Sequence, residues 1–298
     1  MSVFELIMKG FWKITEKSDE KNYAAQTEPE GIERVYDIPY IDDGNRLHLF
    51  DVYYPEKREG GLPAIIDIHG GGWMYGDKEL NRMYCLNLAK RGFVVFNISY
   101  RLVPEVDVPD QLRDVMAALK FISDSMKDYP WDGRNIMLTG DSAGGMLASF
   151  AAALNSSEYL RQIFGTESPE LDLNCLLLTS PVADMDVSGA TGVYTKYMWG
   201  KFIKATPMGA YMNFTALIPH ASFPPVMLVT SSGDFLAHDE TLEQARRLEN
   251  AGYDVELLDY PKFSGRSLPH VFAVLKADSP EGNMCNNAVT EFYRKHMK

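Results

Sequence analysis

Asn135-Ile136-Met137-Leu138-Thr139-Gly140-Asp141-Ser142-Ala143-Gly144-Gly145 is the stretch from which the fold can be read. Residues 135–139 have strand character, and residues 144–154, rich in Ala and Leu, predict a helix. Between them Gly140 to Gly144 form the pattern G-x-S-x-G. A strand that turns sharply into a helix through this pentapeptide strains the serine backbone, and a Cβ two residues to either side would collide with the neighbouring strand or helix. The turn lifts the Ser142 hydroxyl into the cleft at the head of the helix. The pentapeptide alone would also suit a tight turn with a capping serine, but its strand-turn-helix context favours Ser142 as a nucleophile.

Upstream, residues 34–39 and 47–54 read as strands joined by a hairpin turn at Asp42-Asp43-Gly44-Asn45. Residues 64–68 and 93–98 read as buried strands, with helical character over 80–91 between them. Residues 109–126 predict a helix from the spacing of Leu112, Val115, Met116, Leu119 and Ile122. Downstream, strands are expected at 175–179, 226–230 and 255–260, and helices at 239–251 and 288–296. Two hairpin strands followed by this alternation predict an α/β fold: one domain with a mostly parallel central sheet and helices on both faces.

Between Pro181 and Pro225 the rhythm breaks. Tyr194, Tyr197, Trp199, Phe202 and Tyr211 and several glycines mark an insertion over the carboxyl edge of the sheet, where such sheets place their ligands. At the N-terminus Phe4, Leu6, Ile7, Met8, Phe11, Trp12 and Ile14 stand at largely helical spacing. Their helix is expected to dock on the protein body, since its polar face is not basic enough to favour a membrane surface. Residues 17–31 read as a linker.

A serine hydroxyl needs a base to take its proton. With the order serine, acid, histidine, the acid belongs at the end of a strand. Asp234, after Ser231-Ser232-Gly233, is the candidate; Asp239 is the rival, placed where an N-capping carboxylate would sit. His270, in a loop after the last strand, is the candidate base. His220 in the insertion and His238 at a helix start are alternatives, and His296 in the terminal helix is expected to be solvated. Asp234 would hold the His270 tautomer and stabilise the imidazolium.

His69-Gly70-Gly71-Gly72-Trp73 follows the strand at 64–68. Attack on an ester builds negative charge on the carbonyl oxygen, and glycine lets backbone N–H groups approach it closely. The amides of Gly71, Gly72 and Ala143 are the candidate oxyanion donors. A phosphate cradle is the alternative for a triple glycine, but Gly76 is followed by Asp77 where a P-loop has Lys, and no G-x-G-x-x-G is present. His69 is expected to order the loop.

Together these motifs resemble the hormone-sensitive-lipase-like branch of the α/β-hydrolase esterases. Its HGGG and GDSAGG marks stand at 69–72 and 140–145. Tyr100-Arg101-Leu102-Val103-Pro104-Glu105 resembles the family's YRLAPE, and residues 233–240 resemble its DPLRDE, whose first Asp is the triad acid. His270-Val271-Phe272 resembles its HGF. The likeness runs over roughly residues 60–275. Two residues depart from it: His238 stands where the family has Arg, and Val271 where it has the Gly after the catalytic His.

The resemblance implies an α/β-hydrolase fold over 1–298, with a helical cap formed by about 1–30 and an insertion at about 182–222. It implies a cofactor-free, metal-free serine carboxylesterase that hydrolyses short acyl esters, acetyl to about hexanoyl, through an acyl-enzyme, with acetyl esters of sugars as one candidate class. It also allows a homodimer. Two alternatives stay open at this point. One is an arylformamidase acting on N-formylkynurenine, which shares the HGGxW loop and the triad. The other is a non-catalytic ligand receptor on the same fold, a type that loses the triad base.

Composition agrees with a globular domain of this kind. The chain has 298 residues, of which 46% are hydrophobic and 23% charged, enough to bury a core without disulfides or a structural metal. Lys and Arg number 29 against 41 Asp and Glu, and the net charge of −12 argues against nucleic acid and polyanionic substrates. Cys85, Cys175 and Cys285 are far apart and form no CxxC pair, so buried or free thiols in a reducing compartment are expected. Glu5, Lys9 and Lys13 interrupt the N-terminal apolar residues, and no run approaches the ~18 apolar residues of a membrane span. The expectation is a soluble, cytoplasmic protein without stable membrane insertion.

Overall fold

Apolar runs without alternation belong to strands covered on both faces. In β4 (Val94–Ile98) and β6 (Cys175–Thr179) every residue is buried. The computed structural model describes residues 3–182, 184, 195 and 197–298. Its first half runs α1 (Val3–Ala24), β1 (Ile32–Pro39), β2 (Leu49–Pro55), β3 (Leu62–Ile68), α2 (Arg82–Lys90), β4, α3 (Val108–Ser125), β5 (Trp131–Asp141) and α4 (Ala143–Ser156). The second half runs α5 (Glu158–Phe164), β6, α6 (Phe214–Leu217), β7 (Val226–Ser231), α7 (His238–Asn250), β8 (Val255–Tyr260), α8 (Phe272–Leu275) and α9 (Pro280–Lys295).

The strands form one eight-stranded sheet in the order β1-β2-β4-β3-β5-β6-β7-β8. β1 pairs with β2 and β2 with β4 antiparallel, and every other pairing is parallel. This is the mostly parallel sheet that the alternation of elements predicts, in the α/β-hydrolase arrangement that the family resemblance implies. The chain leaves β3 toward β4 on one side and returns to β5 on the other. The carboxyl ends of β3 and β5 therefore flank the point where strand order reverses, and there the diverging connections leave a crevice.

Alternate residues of β3 serve opposite layers, as a period of two demands. Ile66 and Ile68 join Leu112 of α3 and Leu147 of α4 in one core. Ile65 joins Leu86 of α2 and Val289 and Tyr293 of α9 in the other. Tyr293 satisfies its buried hydroxyl by donating to the Ala64 carbonyl at 2.7 Å.

Several boundaries differ from the sequence reading. The stretch expected as a linker at 17–31 is helical to Ala24, because Tyr23 anchors it: its hydroxyl donates to the Glu79 carbonyl and Arg82 lies over its ring. The hairpin connection is longer than 42–45. Asn45 caps a 3-10 turn at Arg46–His48, so β2 starts at Leu49 opposite Pro39. The last helix begins at Pro280 and not at 288, with Ser279 accepting the Gly282 N–H at 3.0 Å; a capping Ser before Pro is a start signal legible in the sequence. α5 was not anticipated. All three cysteines are buried and none is in a disulfide. Among the described residues no helix is long and apolar enough to cross a membrane.

Tyr194 and most of 183–196 lie outside the described residues of the insertion. Trp199 is fully buried and packs on Phe150 of α4 with ring centroids 5.9 Å apart. Tyr211 shares a hydroxyl hydrogen bond with Tyr159, and Phe202 is exposed. Trp199 thus anchors the described part of the insertion on α4. Trp199→Ala is expected to lower unfolding free energy by about 3–5 kcal/mol in a denaturant titration, through the cavity it would leave.

Candidate active site

Ser142 stands between β5 and α4 with φ +52° and ψ −119°, a conformation that non-glycine residues rarely adopt. Its N–H donates to the Thr179 carbonyl at 2.9 Å, and its carbonyl accepts from Met146 and Val182. The glycines on either side are forced by close approach. A Cβ on Gly144 would lie 2.1 Å from the Ile68 carbonyl oxygen, and one on Gly140 would lie 2.3 Å from the Gly144 carbonyl oxygen. The head of α4 thus presses directly on the end of β3.

Asp234 follows β7 and is buried. Its Oδ1 accepts the N–H groups of Leu236 and Ala237, each at 3.0 Å, and its Oδ2 lies 2.9 Å from Nδ1 of His270. Burial by itself would raise this carboxyl. The hydrogen bond and charge of His270, with the Ser180 hydroxyl and the Ala237 amide, outweigh it and hold the acid below the usual carboxylate range. The turn carrying Asp234 and the loop carrying His270 are tied together, since Ser231 Oγ donates to the Leu268 carbonyl at 2.7 Å. Val271 takes φ +47°, the left-handed region where the resembling family has glycine, so the departure keeps the backbone shape at a steric cost.

The glycine loop after β3 is held from three sides. Gly71 has φ +100°, and its carbonyl accepts from Met74 and Tyr75. The His69 ring stacks on Tyr100 at 4.4 Å, and its Nδ1 lies 2.8 Å from the Gly70 carbonyl. Burial lowers His69 to about 4, so the ring is neutral and Nδ1–H is the donor. Tyr100 in turn donates to the His69 carbonyl at 2.8 Å. Gln111 donates to the carbonyls of Trp73 and Arg101, and Arg101 is paired with Asp114. The segment at 100–105 thus braces the loop.

Beneath the loop lies a buried polar network that the sequence reading missed. Asn81 Nδ2 donates to Asp141 Oδ1 at 2.7 Å and to Asp67 Oδ2 at 2.9 Å, while the Gly70 N–H donates to Asp141 Oδ1 at 3.1 Å. Burial raises Asp141 to about 6, partly offset by Asn81, His270 and Gly70. Burial and the neighbouring Asp141 push Asp67 up to about 8, with Asn81 and the Cys85 thiol opposing. Asp67 is therefore mainly neutral at pH 7, while Asp141 lies lower and is mainly ionised, a form that its two N–H donors stabilise.

Ser142, His270, Gly71 and Gly72 line one cavity of about 570 Å³, and Ala143 opens the helix behind it. As the first residue of α4, Ala143 has an N–H with no intrahelical acceptor. No hydrogen bond joins Ser142 to His270 among the described residues; such contacts often tighten only when substrate binds. α1 forms one wall through Phe11, Trp12 and Asp19, and the described insertion contributes Val182. Trp12 stacks on Tyr75 with centroids 5.5 Å apart, which docks the helix on the body.

The rival residues lie elsewhere. His220 packs between Tyr159 and Tyr211. His238 lies 3.2 Å from both Asp239 and Asp259, and although burial opposes it, these carboxylates raise it. Asp239 is fully exposed. His296 is half-buried against Phe292, where solvation was expected, because α9 lays its last turn on the body. Among the described residues no cluster of metal-ligating side chains is present.

Fold and site define an esterase of the α/β-hydrolase class. The chain belongs to the BD-FAE family, whose sequence profile matches residues 50–236. Lipase 2 of Moraxella sp. is 33% identical over 270 residues, 80% of this chain and 61% of that protein. Carboxylesterase NlhH of Mycobacterium tuberculosis is 28% identical over 222 residues, 70% of this chain and 68% of that protein. Esterase B of Lactobacillus rhamnosis, solved with a C4-C4 tributyrin phosphonate inhibitor, superposes with a TM-score of 0.92 at 29% identity, covering 99% of this chain and 96% of that one. The chain is thus a carboxylic ester hydrolase of the hormone-sensitive-lipase-like branch.

The Asp67 carboxyl sets a pH dependence of stability. Its folded value near 8 lies above the ordinary 3.8, so between those limits the native state holds a proton that the unfolded chain has released. Stability falls as pH rises through this window. Asp67→Asn, which mimics the neutral acid, is expected to flatten that fall and to be at least about 1 kcal/mol more stable than the native protein at pH 9, as read from urea midpoints at pH 5 and pH 9.

Proposed function

We propose that the chain hydrolyses short-chain acyl esters, acetyl to about hexanoyl, through a serine acyl-enzyme. Ser142 attacks the ester carbonyl while His270 takes its proton, and Asp234 orients the imidazole and stabilises its cation. The amides of Gly71, Gly72 and Ala143 receive the oxyanion; losing one such donor typically costs ~10²–10³ in rate. His270 then protonates the leaving alcohol. Water, activated by the same imidazole, clears the acyl group.

The observation that carries this reading is the 2.9 Å Asp234–His270 contact on the wall of the cavity that Ser142 also lines. The short acyl preference rests on cavity size and on an apolar wall that includes Trp73, Leu236 and Val271. The C4-C4 phosphonate that inhibits the related esterase B agrees with it. α1 and the insertion act as the cap. Acetylated sugars stay as an alternative alcohol class, and a cytoplasmic location suits three buried thiols without disulfides.

A chain-length series of 4-nitrophenyl esters tests the proposal. Turnover is expected to fall beyond about six to eight acyl carbons, and Ser142→Ala to lose at least ~10³-fold in kcat/KM. An organophosphate adduct should map to Ser142 by mass spectrometry. Labelling elsewhere, or a flat profile into long chains, would overturn the reading.

A further inference from the structure

The wall of the catalytic cavity is apolar and aromatic apart from the reacting groups, Thr15, the Asn81–Asp141 pair and the carboxylate of Asp19. Asp141 is taken up by its donors Asn81 and Gly70. Asp19 lies on α1 and is about nine-tenths buried. Burial raises it, and a hydrogen bond from the Tyr75 hydroxyl pulls it partly back. A carboxylate can accept about four hydrogen bonds, so Asp19 has capacity for a further partner. Phe11, Trp12, Trp73 and Tyr75 surround the same space. A desolvated carboxylate among aromatic rings is the environment that favours an organic cation, through direct charge attraction and the negative ring faces.

The approach to this wall has the same sign. Asp19 and Tyr75 also border a second cavity of about 720 Å³, whose α1 side carries Glu16 and Glu20. The spacing of residues 16, 19 and 20 puts these carboxylates on one helix face. The basic residues on the opposite side are engaged, Arg46 with Asp77 and Arg82 with Glu79.

We propose that the alcohol part of the preferred ester carries an ammonium group and that Asp19 is the specificity-determining residue that receives it. The proposal rests on the esterase reading above and deepens it. The reaction is ordinary hydrolysis: ester plus water gives carboxylate, a proton and the amino alcohol.

The test compares butyrylcholine with 3,3-dimethylbutyl butyrate, in which carbon replaces the charged nitrogen at nearly constant shape. The native full chain is expected to favour the cationic ester by at least about tenfold in kcat/KM, and the preference should shrink as salt rises. Asp19→Asn should bring the ratio to within about twofold of one. Tetramethylammonium should inhibit 4-nitrophenyl butyrate hydrolysis competitively in the native protein, a readout that stands even if the variant misfolds. A native ratio near one, or a full preference retained in Asp19→Asn, would overturn the assignment while leaving the esterase reading intact. Absence of 4-nitrophenyl butyrate turnover would instead overturn the esterase reading, and this assignment with it.

Discussion

The head of α4 lies so close to the end of β3 that no side chain fits between them, and the site is organised around that contact. Because Gly144 sits against the Ile68 carbonyl, the turn carrying Ser142 and the loop carrying Gly71 and Gly72 cannot move independently. The sheet brings this about by reversing its strand order between β3 and β5. The strained serine backbone is kept by the hydrogen bond that the Ser142 N–H donates to the Thr179 carbonyl and by the packing of α4 on both sides. The geometry of the candidate site is a property of the backbone first and of side chains second.

The side chains are then fixed in pairs. Asp234 is held by two amides before it meets His270, so its orientation does not depend on the imidazole. His69, Tyr100 and Gln111 hold the glycine loop from above, and Asn81 with two carboxyls holds it from below. These supports are buried and each is hydrogen-bonded to the loop or to a neighbouring support, although Asp67 Oδ1, His69 Nε2 and Gln111 Oε1 have no partner among the described residues. The low-dielectric setting that makes them rigid also keeps Asp67 protonated at neutral pH.

Much of this was legible in the sequence. Unbroken apolar runs located β3, β4, β6 and β7 to within a residue or two, because both faces of those strands are covered. Gly140 to Gly144 located the turn, because only glycine permits the contact. Ser142, Asp234 and His270 could be proposed from chain order and loop position. The supports could not: Asn81 sits in an unremarkable polar stretch, and its role arises only where β3 and β5 run side by side. The extent of α1 was hidden because residues 17–24 are mostly polar, and what makes them helical is the long-range anchoring of Tyr23 on Glu79. The aromatics of the insertion read as cap core more than as ligand contacts, and Trp199, buried against Phe150 of α4, agrees.

The cavity wall is divided between two kinds of structure. One side is sheet and loop, locked to the catalytic geometry. The other is α1, a peripheral helix that touches the body through a few anchors such as the stacking of Trp12 on Tyr75. Residues on that helix can be exchanged without disturbing the strands that carry the chemistry. The pocket is therefore modular in its build: one wall is a surface segment that can be altered apart from the sheet edge holding Ser142.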